Sequence, residues 1–364
     1  MTSKKDRTKK IIVLTGGGTA GHIIPNLALL PDLINDGWEV HYIGSKNGME
    51  ADLLKDKPVQ YHEVSTGKLR RYFDLKNFSD PFKVVGGITQ ASLLLSKIKP
   101  SVIFSKGGFV SVPVVIAAKM QNIPSILHES DITPGLANKI CLQFSNKICT
   151  SFKQTLTYLP RSKSLYTGSP LRPELLTGNA EKGYELCGFD ATLPVILVTG
   201  GSLGSANLNR FIRNVLPELL KTYQVIHICG KDNLDDKLTG LKGYRQFEYI
   251  SDEQPHIFKI STIVISRAGA NSIFEFLNLA LPSILIPISR TASRGDQILN
   301  ATEFEKAGYC IKLEEESITS NQILLDTIST LYSEREKYIQ NMTRDKIPDA
   351  KTLILKTIND TVFL

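Results

Sequence analysis

The sequence predicts an α/β protein built from two Rossmann-like domains with parallel sheets. Strand-like apolar runs alternate with helical patterns along the whole chain, which is typical of parallel sheets. Two segments are nearly alike: residues 11–22 read IIVLTGGGTAGH, and residues 194–205 read PVILVTGGSLGS. Each runs from a buried strand through glycines into an amphipathic helix. A chain of 364 residues is also long enough for about two domains.

The two glycine segments predict a ligand as well as a fold. Glycine lets the backbone approach a ligand closely, and the start of a helix presents unpaired N–H groups that favour an anion. Two such loops in matching positions therefore predict that a phosphate-bearing ligand binds between two stacked domains.

The expected elements of the first half follow in chain order. Strands are expected near residues 11–15, 39–43, 60–64, 101–105, 124–128, 147–150 and 164–167. Helical patterns cover residues 23–35, 48–55, 82–97, 110–121 and 134–142. Pro31 lies inside the first helical pattern. Because proline lacks the backbone N–H that a helix needs, Pro31 is expected to kink this helix or to end it early.

The second half repeats the alternation after a segment punctuated by proline and glycine, Tyr166–Glu174, which is expected to link the domains. Strands are expected near residues 194–199, 224–228, 245–249, 262–266, 283–287 and 309–313. Helices are expected near residues 206–221, 252–259, 270–279, 295–307 and 319–333. A last amphipathic segment, 349–360, can pack on either domain.

Composition narrows the class of partner and the cellular compartment. The net charge of +7 favours an anionic partner, such as a phosphate ligand or an acidic lipid. Nucleic acid is not expected, because no basic run with interleaved aromatic residues dominates. The five cysteines are scattered without CxxC spacing, which fits a reducing cytosol. No run approaches the ~20 apolar residues that span a bilayer, so any membrane contact is expected to be peripheral.

The first candidate site is the tip of the first glycine loop, where His22 follows Thr19, Ala20 and Gly21. A histidine can serve as a general base near neutral pH. The alternative is a histidine at a helix start that only bonds to backbone.

Two more junctions of strand, loop and helix carry polar residues, at Ser105–Pro113 and His128–Asn138. The carboxyl ends of parallel strands are where α/β folds build their sites. Glu129 and Asp131 are therefore candidate site residues, but either can equally cap the start of the helix expected over residues 134–142.

In the second half, the small residues of the segment Ser266–Glu275 leave room for a ligand at a helix start. Glu275 can accept hydrogen bonds from two ribose hydroxyls, although a solvent-facing glutamate fits the pattern better. The string Arg294-Gly-Asp296 does not by itself indicate a function. Metal chemistry is not expected, because the chain lacks HExxH and clustered Cys and His.

Residues 66–83 alternate basic and large apolar side chains. Such a surface suits the headgroup region of an anionic bilayer, and the alternative is a solvated loop that covers an ordinary helix. The candidate membrane residues are Lys68, Arg70, Arg71, Tyr72, Phe73, Phe78 and Phe82.

Taken together, these strings resemble one family, the MurG family of bacterial peptidoglycan synthesis. Its motifs match in order and spacing over essentially the whole chain. The matching segments are Gly17–His22, Gly107–Ser111, 128–138, Gly168–Arg172, Gly200–Ser205, 266–275 and Gln297–Ala301. The chain has Asp131 where the family often has Asn, and Asp296 where it often has Gln, as in the branch from Gram-positive bacteria. A carboxylate accepts hydrogen bonds but cannot donate them, so Asp131 can take over only the accepting part of an asparagine's role.

The resemblance implies a GT-B fold and an inverting transfer of N-acetylglucosamine (GlcNAc) from UDP-GlcNAc. The implied acceptor is the C4 hydroxyl of N-acetylmuramic acid (MurNAc) in lipid I, and the implied products are lipid II and UDP. No cofactor or metal is implied, because helix dipoles and backbone amides can stabilise the phosphate charge. A UDP-GlcNAc 2-epimerase of the same fold and a non-enzymatic membrane-docking module are the alternatives.

The family also implies roles for single residues. His22 is the best candidate base, and Asp131 is the second candidate. Ser202 and its loop would hold the donor phosphates near Arg172, Glu275 would bind the ribose, and the Ile250 backbone would meet the uracil. Asp296 and Gln297 would contact the GlcNAc hydroxyls. The remaining donor contacts would come from Thr19, Ala20, Gly21, Ala270, Asn271 and Ser272.

The implied first domain, residues 1–168 with a returning helix at 349–364, would bind the acceptor and the membrane. Residues 169–348 would bind UDP-GlcNAc. The implied location is the cytoplasmic face of the cell membrane, with peripheral attachment to anionic inner-leaflet lipids. Other cell-wall synthesis proteins are candidate partners.

Overall fold

The computed structural model describes residues 10–46, 48–66, 80–201, 204–290, 293–345 and 349–362, with only the backbone for 80–83. The chain divides into two compact units. The first unit comprises residues 1–172 and 348–364, and the second comprises 173–347. The division falls at Arg172, so this residue belongs to the first unit, whereas the sequence boundary at residue 168 assigned it to the second.

The first unit contains a parallel sheet of seven strands in the order β3-β2-β1-β4-β5-β6-β7. Its strands are β1 (Ile11–Thr15), β2 (Glu39–Ser45), β3 (Gln60–Val64), β4 (Val102–Ser105), β5 (Ser125–Glu129), β6 (Lys147–Thr150) and β7 (Ser164–Tyr166). The central strand β1 pairs in parallel with both β2 and β4.

The second unit repeats the same winding in a parallel sheet of six strands, β10-β9-β8-β11-β12-β13. Its strands are β8 (Val195–Thr199), β9 (Gln224–Ile228), β10 (Tyr244–Phe247), β11 (Ser261–Ser266), β12 (Ser283–Leu285) and β13 (Cys310–Lys312). The prediction of two Rossmann-like units with parallel sheets is confirmed.

Helices connect the strands in both units. Those of the first unit are α1 (Ile24–Asn35), α2 (Met49–Leu54), α3 (Asp80–Ile98), α4 (Ser111–Met120), α5 (Leu136–Cys141) and α13 (Ala350–Val362). Those of the second are α6 (Ala180–Cys187), α7 (Ala206–Leu219), α8 (Gln254–Ile260), α9 (Ala270–Asn278), α10 (Asp296–Lys306), α11 (Asn321–Ser333) and α12 (Arg335–Arg344).

Strand β1 shows why the central strands read as unbroken apolar runs. Ile12 and Leu14 point to one face of the sheet and join one core cluster, whereas Val13 points to the other face and joins a second cluster. Because helices cover both faces, every side chain in the middle of the strand is buried. The sheet therefore holds its carboxyl-end loops on a rigid base.

The last helix, α13, packs on the first unit. Ile354 and Ile358 are fully buried in the cluster that contains Ile12 and Leu14. Lys351 also pairs with Asp32 of α1 at 3.0 Å. The sequence left both domains open as the partner of this helix, and the resemblance pointed to the first.

Three local expectations need correction. Pro31 does not end α1, which continues to Asn35, because Leu30 and Leu33 bury the last turns of this helix in the core. Helix α6 was not predicted, although Asn179 caps its start and Gly188 ends it at φ +67°. Helix α12 was not predicted either, because its buried residues are only Tyr338 and Met342.

All five cysteines are buried and unpaired. Burial raises the pKa of the Cys141 and Cys187 thiols to about 12, so both are inert thiols at neutral pH. No helix in the described ranges is long and apolar enough to cross a bilayer.

Candidate active-site loops

The glycine loop of the first unit lies at the carboxyl end of β1 and orients His22. The His22 Nδ1 lies 3.0 Å from the carbonyl oxygen of Gly17 and 3.3 Å from the Thr19 hydroxyl. A carbonyl can only accept, so this contact assigns the proton to Nδ1 and the lone pair of the neutral ring to Nε2. The backbone contact that the sequence offered as the alternative is therefore present, and the role of His22 as a base stays a prediction.

A second glycine pair, after β4, packs against the first loop. Gly108 has φ +79°, and a Cβ placed on it would overlap the backbone carbonyl oxygen of Gly17. No side chain fits in this contact. Ser111, the first residue of α4, donates from its hydroxyl to the carbonyl of Gly107 at 2.7 Å. The Gly107–Ser111 segment thus adjoins the loop that carries His22.

Glu129 serves the loop after β5 as an anchor. One carboxylate oxygen accepts from the Asp131 backbone N–H at 3.0 Å. The other accepts from the Gly135 N–H and from the Asn138 side chain, both at 2.9 Å. Glu129 is buried. Of the two readings left open by the sequence, the structural one holds for Glu129, while Asp131 is half-buried at the same edge of the sheet.

A polar cluster of two buried residues, Lys106 and His128, and the half-buried Ser130 lies beside this loop, and the sequence analysis missed it. Lys106 Nζ donates to His128 Nδ1 and to Ser130 Oγ, each at 2.7 Å. His128 Nε2 donates to the carbonyl of Gly168 at 3.1 Å. Burial lowers the pKa of Lys106 to about 7 and also lowers that of His128. The position of Lys106 directly after a buried strand was the available signal.

The glycine loop of the second unit follows β8. Gly204 has φ +73°, and a Cβ placed there would lie 2.8 Å from the Gly230 Cα, so only glycine fits. Ser205 then caps α7 by accepting from the Leu208 N–H at 3.4 Å. Ser202 lies outside the described residues.

Arg267, directly after β11, ties this loop to the rest of the unit. Its guanidinium donates to Ser205 Oγ at 2.6 Å and to Glu315 at 2.9 Å. It also donates to the carbonyls of Ile286 and Pro287, at 3.0 and 3.2 Å. Sequence reasoning treated this arginine only as part of a small-residue segment. A buried arginine at a strand end, beside glycines, was the signal that it overlooked.

The small-residue segment starts α9 at the same edge of the second sheet. Ala270 is buried, whereas Asn271, Ser272 and Glu275 are half-buried. Glu275 is therefore partly exposed, and its role toward a ribose stays a prediction. Ile250, after β10, is buried too.

The start of α10 brings the last donor candidates together. Asp296 is the first residue of the helix and pairs with Arg294 at 2.5 Å. Gln297 accepts from the Ile288 N–H at 3.2 Å through its Oε1. The Nε2 of Gln297 is therefore the end of this side chain that can donate to a sugar hydroxyl.

In each unit the candidate residues gather at the carboxyl edge of the sheet. Arg172 is half-buried at the end of the first unit. Six of the membrane candidates lie outside the described residues, and Phe82 lies in α3 without a described side chain. The described residues contain no group of three or more His, Cys, Asp or Glu that could hold a metal ion.

Two doubly wound units, each with a glycine loop and a helix start at the carboxyl edge of its sheet, define a GT-B protein. Residues 12–150 match the glycosyltransferase family 28 N-terminal domain, and residues 195–357 match the family's C-terminal domain. The chain belongs to glycosyltransferase family 28.

The relatives point to one group within this family. The chain is 57% identical over 334 residues to a protein of Clostridium tetani. That protein is named UDP-N-acetylglucosamine--N-acetylmuramyl-(pentapeptide) pyrophosphoryl-undecaprenol N-acetylglucosamine transferase. The match covers 92% of this chain and 93% of the relative.

Solved structures share the fold at low identity. The structure of MurG from Acinetobacter baumannii has a TM-score of 0.76 at 22% identity, with 96% of this chain and 99% of that chain covered. A UDP-GlcNAc 2-epimerase from Neisseria meningitidis has a TM-score of 0.68 at 14% identity and covers 96% and 100%. At these identities the likeness extends to the fold alone.

Proposed function

We propose that the protein transfers GlcNAc from UDP-GlcNAc to the C4 hydroxyl of MurNAc in lipid I, with inversion at the sugar C1. The products are lipid II and UDP, and the reaction is a step of peptidoglycan synthesis. The chain is 57% identical, over 92% of its length, to a protein named as a GlcNAc transferase. The 2-epimerase is 14% identical and is similar in fold alone, so the comparison supports transfer over epimerisation.

The observation that carries the chemistry is the contact between His22 Nδ1 and the Gly17 carbonyl at 3.0 Å. It leaves Nε2 as the basic nitrogen of the neutral ring. A direct displacement at C1 needs a base for the attacking hydroxyl, and a positioned histidine suits that task at neutral pH. His22 is therefore the proposed base.

Asp131 is the second candidate for the base. It is half-buried at the end of β5, and its backbone N–H is fixed by Glu129. A carboxylate is a weaker base than imidazole at neutral pH, which favours His22. Replacement of each residue in turn distinguishes the two assignments.

The departing UDP requires stabilisation of its diphosphate charge. The loop before α7 suits this role, because Gly201 and Gly204 take positive φ values and the helix start favours an anion. Ser202 and Arg172 are assigned to the same diphosphate from the family motif. Arg267 holds the loop by bonding Ser205 and is not itself assigned to the ligand.

The uridine and sugar contacts are assigned to the second unit. Glu275 would accept from the ribose hydroxyls, and the backbone of Ile250 would meet uracil. Gln297 would donate to a GlcNAc hydroxyl through its Nε2. Asp296 would contribute as an acceptor, with its carboxylate oriented by Arg294. The small residues Ala270, Asn271 and Ser272 would leave room for the donor at the start of α9.

The first unit is the proposed acceptor and membrane side, attached peripherally to the cytoplasmic face. Its helix α3 follows the basic and aromatic segment 68–78 and exposes Val85 and Leu93 at 62% and 69%. Met120, at the end of the adjacent α4, is 67% exposed. Exposed apolar side chains beside a basic segment suit the headgroup region of anionic lipids.

The decisive test is a transfer assay with labelled UDP-GlcNAc and a short-chain analogue of lipid I. Formation of the labelled disaccharide lipid together with UDP supports the proposal. Release of a free 2-epimer without acceptor would instead identify an epimerase. Binding to vesicles without any release of UDP would identify a docking module.

A further inference from the structure

Lys106 has an environment that is unusual for a lysine. It directly follows β4, and only 1% of its surface is exposed. Its Nζ donates to His128 Nδ1 and to Ser130 Oγ, each at 2.7 Å. His128 extends this hydrogen-bond network, because its Nε2 donates to the carbonyl of Gly168.

Burial of an ammonium is costly unless charge and hydrogen bonds compensate it. The described partners of Nζ are a neutral imidazole and a hydroxyl, and neither carries a negative charge. The nearest sources of compensation are the carboxylates of Glu129 and Asp131, whose charges favour the protonated lysine. An apolar side chain of similar length would fill the same space without this cost. The free-energy cost of burying the lysine therefore indicates that Lys106 has a role other than stabilising the fold.

The position of Lys106 connects it to the candidate active-site loops. A Cβ placed on Gly16 would lie 3.2 Å from the Lys106 Cβ and 2.5 Å from the carbonyl oxygen of His22. Gly16 thus separates Lys106 from the residue proposed as the base. On its other side, Lys106 holds Ser130, which directly precedes Asp131. The Lys106 side chain therefore begins beside the glycine loop of His22 and ends at Ser130.

We propose that Lys106 is a positioning residue for the transfer reaction: through His128 and Ser130 it fixes the start of the Ser130–Asp131 loop against the glycine loop of His22. The inference rests on the proposed function. The ammonium holds the Ser130 hydroxyl as an acceptor and attracts the Asp131 carboxylate. Loss of its charge leaves the loop without this restraint, and the acceptor hydroxyl and its base lose their alignment.

The charge of Lys106 depends on its surroundings, and each ionisable neighbour has a defined effect. Desolvation lowers the pKa of Lys106, whereas Glu129, Asp131 and Cys149 favour its protonation, and Lys106 in turn lowers the pKa of His128. The balance brings the lysine pKa to about 7. The restraint is therefore present below this pH and fades above it.

The test compares wild type, Lys106→Met and Ser130→Ala in the transfer assay with a water-soluble acceptor. Misplacement of reacting groups by small distances costs about 10²-fold in rate, so Lys106→Met is expected to lower kcat by about that factor. The KM for UDP-GlcNAc should change much less than kcat, because most of the residues assigned to the donor lie in the second unit. Ser130→Ala keeps the lysine and should lower kcat in the same direction. Lys119→Met, an exposed lysine of α4, is the matched control.

The pH profile separates positioning from a purely structural role. Wild-type kcat should decline as pH rises through about 7, and Lys106→Met should lack this decline. A wild-type rate in Lys106→Met, or the same decline in both proteins, overturns the inference while the proposed function stands. If Lys106→Met does not fold, Ser130→Ala decides: an unchanged kcat overturns the inference. Absence of product from wild type overturns the proposed function and the inference with it.

Discussion

Arg267 and Glu315 form a nearly buried ion pair, with 2.9 Å between Nη1 and Oε2 and side-chain exposures of 9% and 11%. The same guanidinium bonds the hydroxyl of Ser205, which caps α7 at the end of the glycine loop. One arginine therefore joins the loop after β8 to the chain after β13. This arrangement restrains the backbone that is proposed to hold the donor diphosphate.

Replacement of Arg267 by Met should destabilise the protein and weaken UDP binding. Removal of one partner from a buried pair leaves an uncompensated charge and costs about 3–5 kcal/mol. Urea unfolding and UDP titration measure the two effects. Arg210→Met, on the exposed face of α7, is the control and should change neither. Wild-type stability and affinity in the Arg267 variant would show that the pair does not restrain the loop.

His22→Ala should lower kcat by about 10²–10⁴-fold, because a general base contributes rate enhancements of that size. UDP affinity should not change, because the side chain acts on the acceptor hydroxyl. Turnover at saturating substrates and UDP titration give the two values. His62→Ala, in β3 of the same unit, controls for loss of a histidine. If turnover persists in the His22 variant, Asp131 becomes the base to test.

Glu275→Ala should weaken binding of UDP and of UDP-GlcNAc alike, because the ribose is common to both. Loss of a hydrogen bond to a charged group costs about 1.5–3 kcal/mol. A 2′-deoxyuridine donor should be penalised in wild type and much less in the variant. Glu185→Ala, an exposed glutamate of α6, should behave as wild type. Equal penalties for the deoxy donor in wild type and Glu275→Ala would reject ribose recognition by Glu275.

The buried Lys106 predicts a specific dependence of stability on pH. Its pKa falls from 10.5 to about 7 on folding, so the unfolded chain holds more protons between these values. The free energy of unfolding of wild type should therefore gain a contribution that rises with pH in this interval, by at most about 1.4 kcal/mol per pH unit. Lys106→Met lacks this contribution.

Urea unfolding of both proteins at several pH values measures the difference. The stability of Lys106→Met relative to wild type should fall as pH rises from about 7 towards 10.5, while Lys119→Met should track wild type. A difference that does not vary with pH would mean that folding does not lower the pKa of Lys106.

Replacement of Lys68, Arg70 and Arg71 by Glu should release the protein from anionic vesicles. Each cation near such a surface contributes about 1 kcal/mol, and the attraction falls with salt. Vesicle co-sedimentation measures the loss, while activity on a water-soluble acceptor should persist. The matched control replaces three exposed lysines of the second unit, Lys182, Lys221 and Lys242, by Glu. If the variant with Glu at positions 68, 70 and 71 binds anionic vesicles as wild type does, the segment is not the membrane-docking surface.

The sequence by itself determined the secondary-structure order and the fold class. The strands of both sheets were predicted because a strand covered on both faces needs a continuous apolar run, as in Ile11–Leu14. Glycines after β1 and β8 marked the carboxyl edges where the candidate residues gather. Helix α12 was not predicted from the sequence, because only Tyr338 and Met342 are buried and two apolar positions do not make a recognisable helical pattern.

Only the tertiary structure decided what the polar residues at those edges do. The sequence left Glu129 open between capping and chemistry, and in the structure its carboxylate accepts hydrogen bonds from Asp131, Gly135 and Asn138 and so anchors the loop after β5. The contacts of Lys106 with His128 and of Arg267 with Glu315 join residues 22 and 48 positions apart. Such pairs form because the parallel arrangement brings the ends of strands that are distant in sequence to one edge of the sheet. The local pattern of apolar residues does not indicate which side chains will be in contact there.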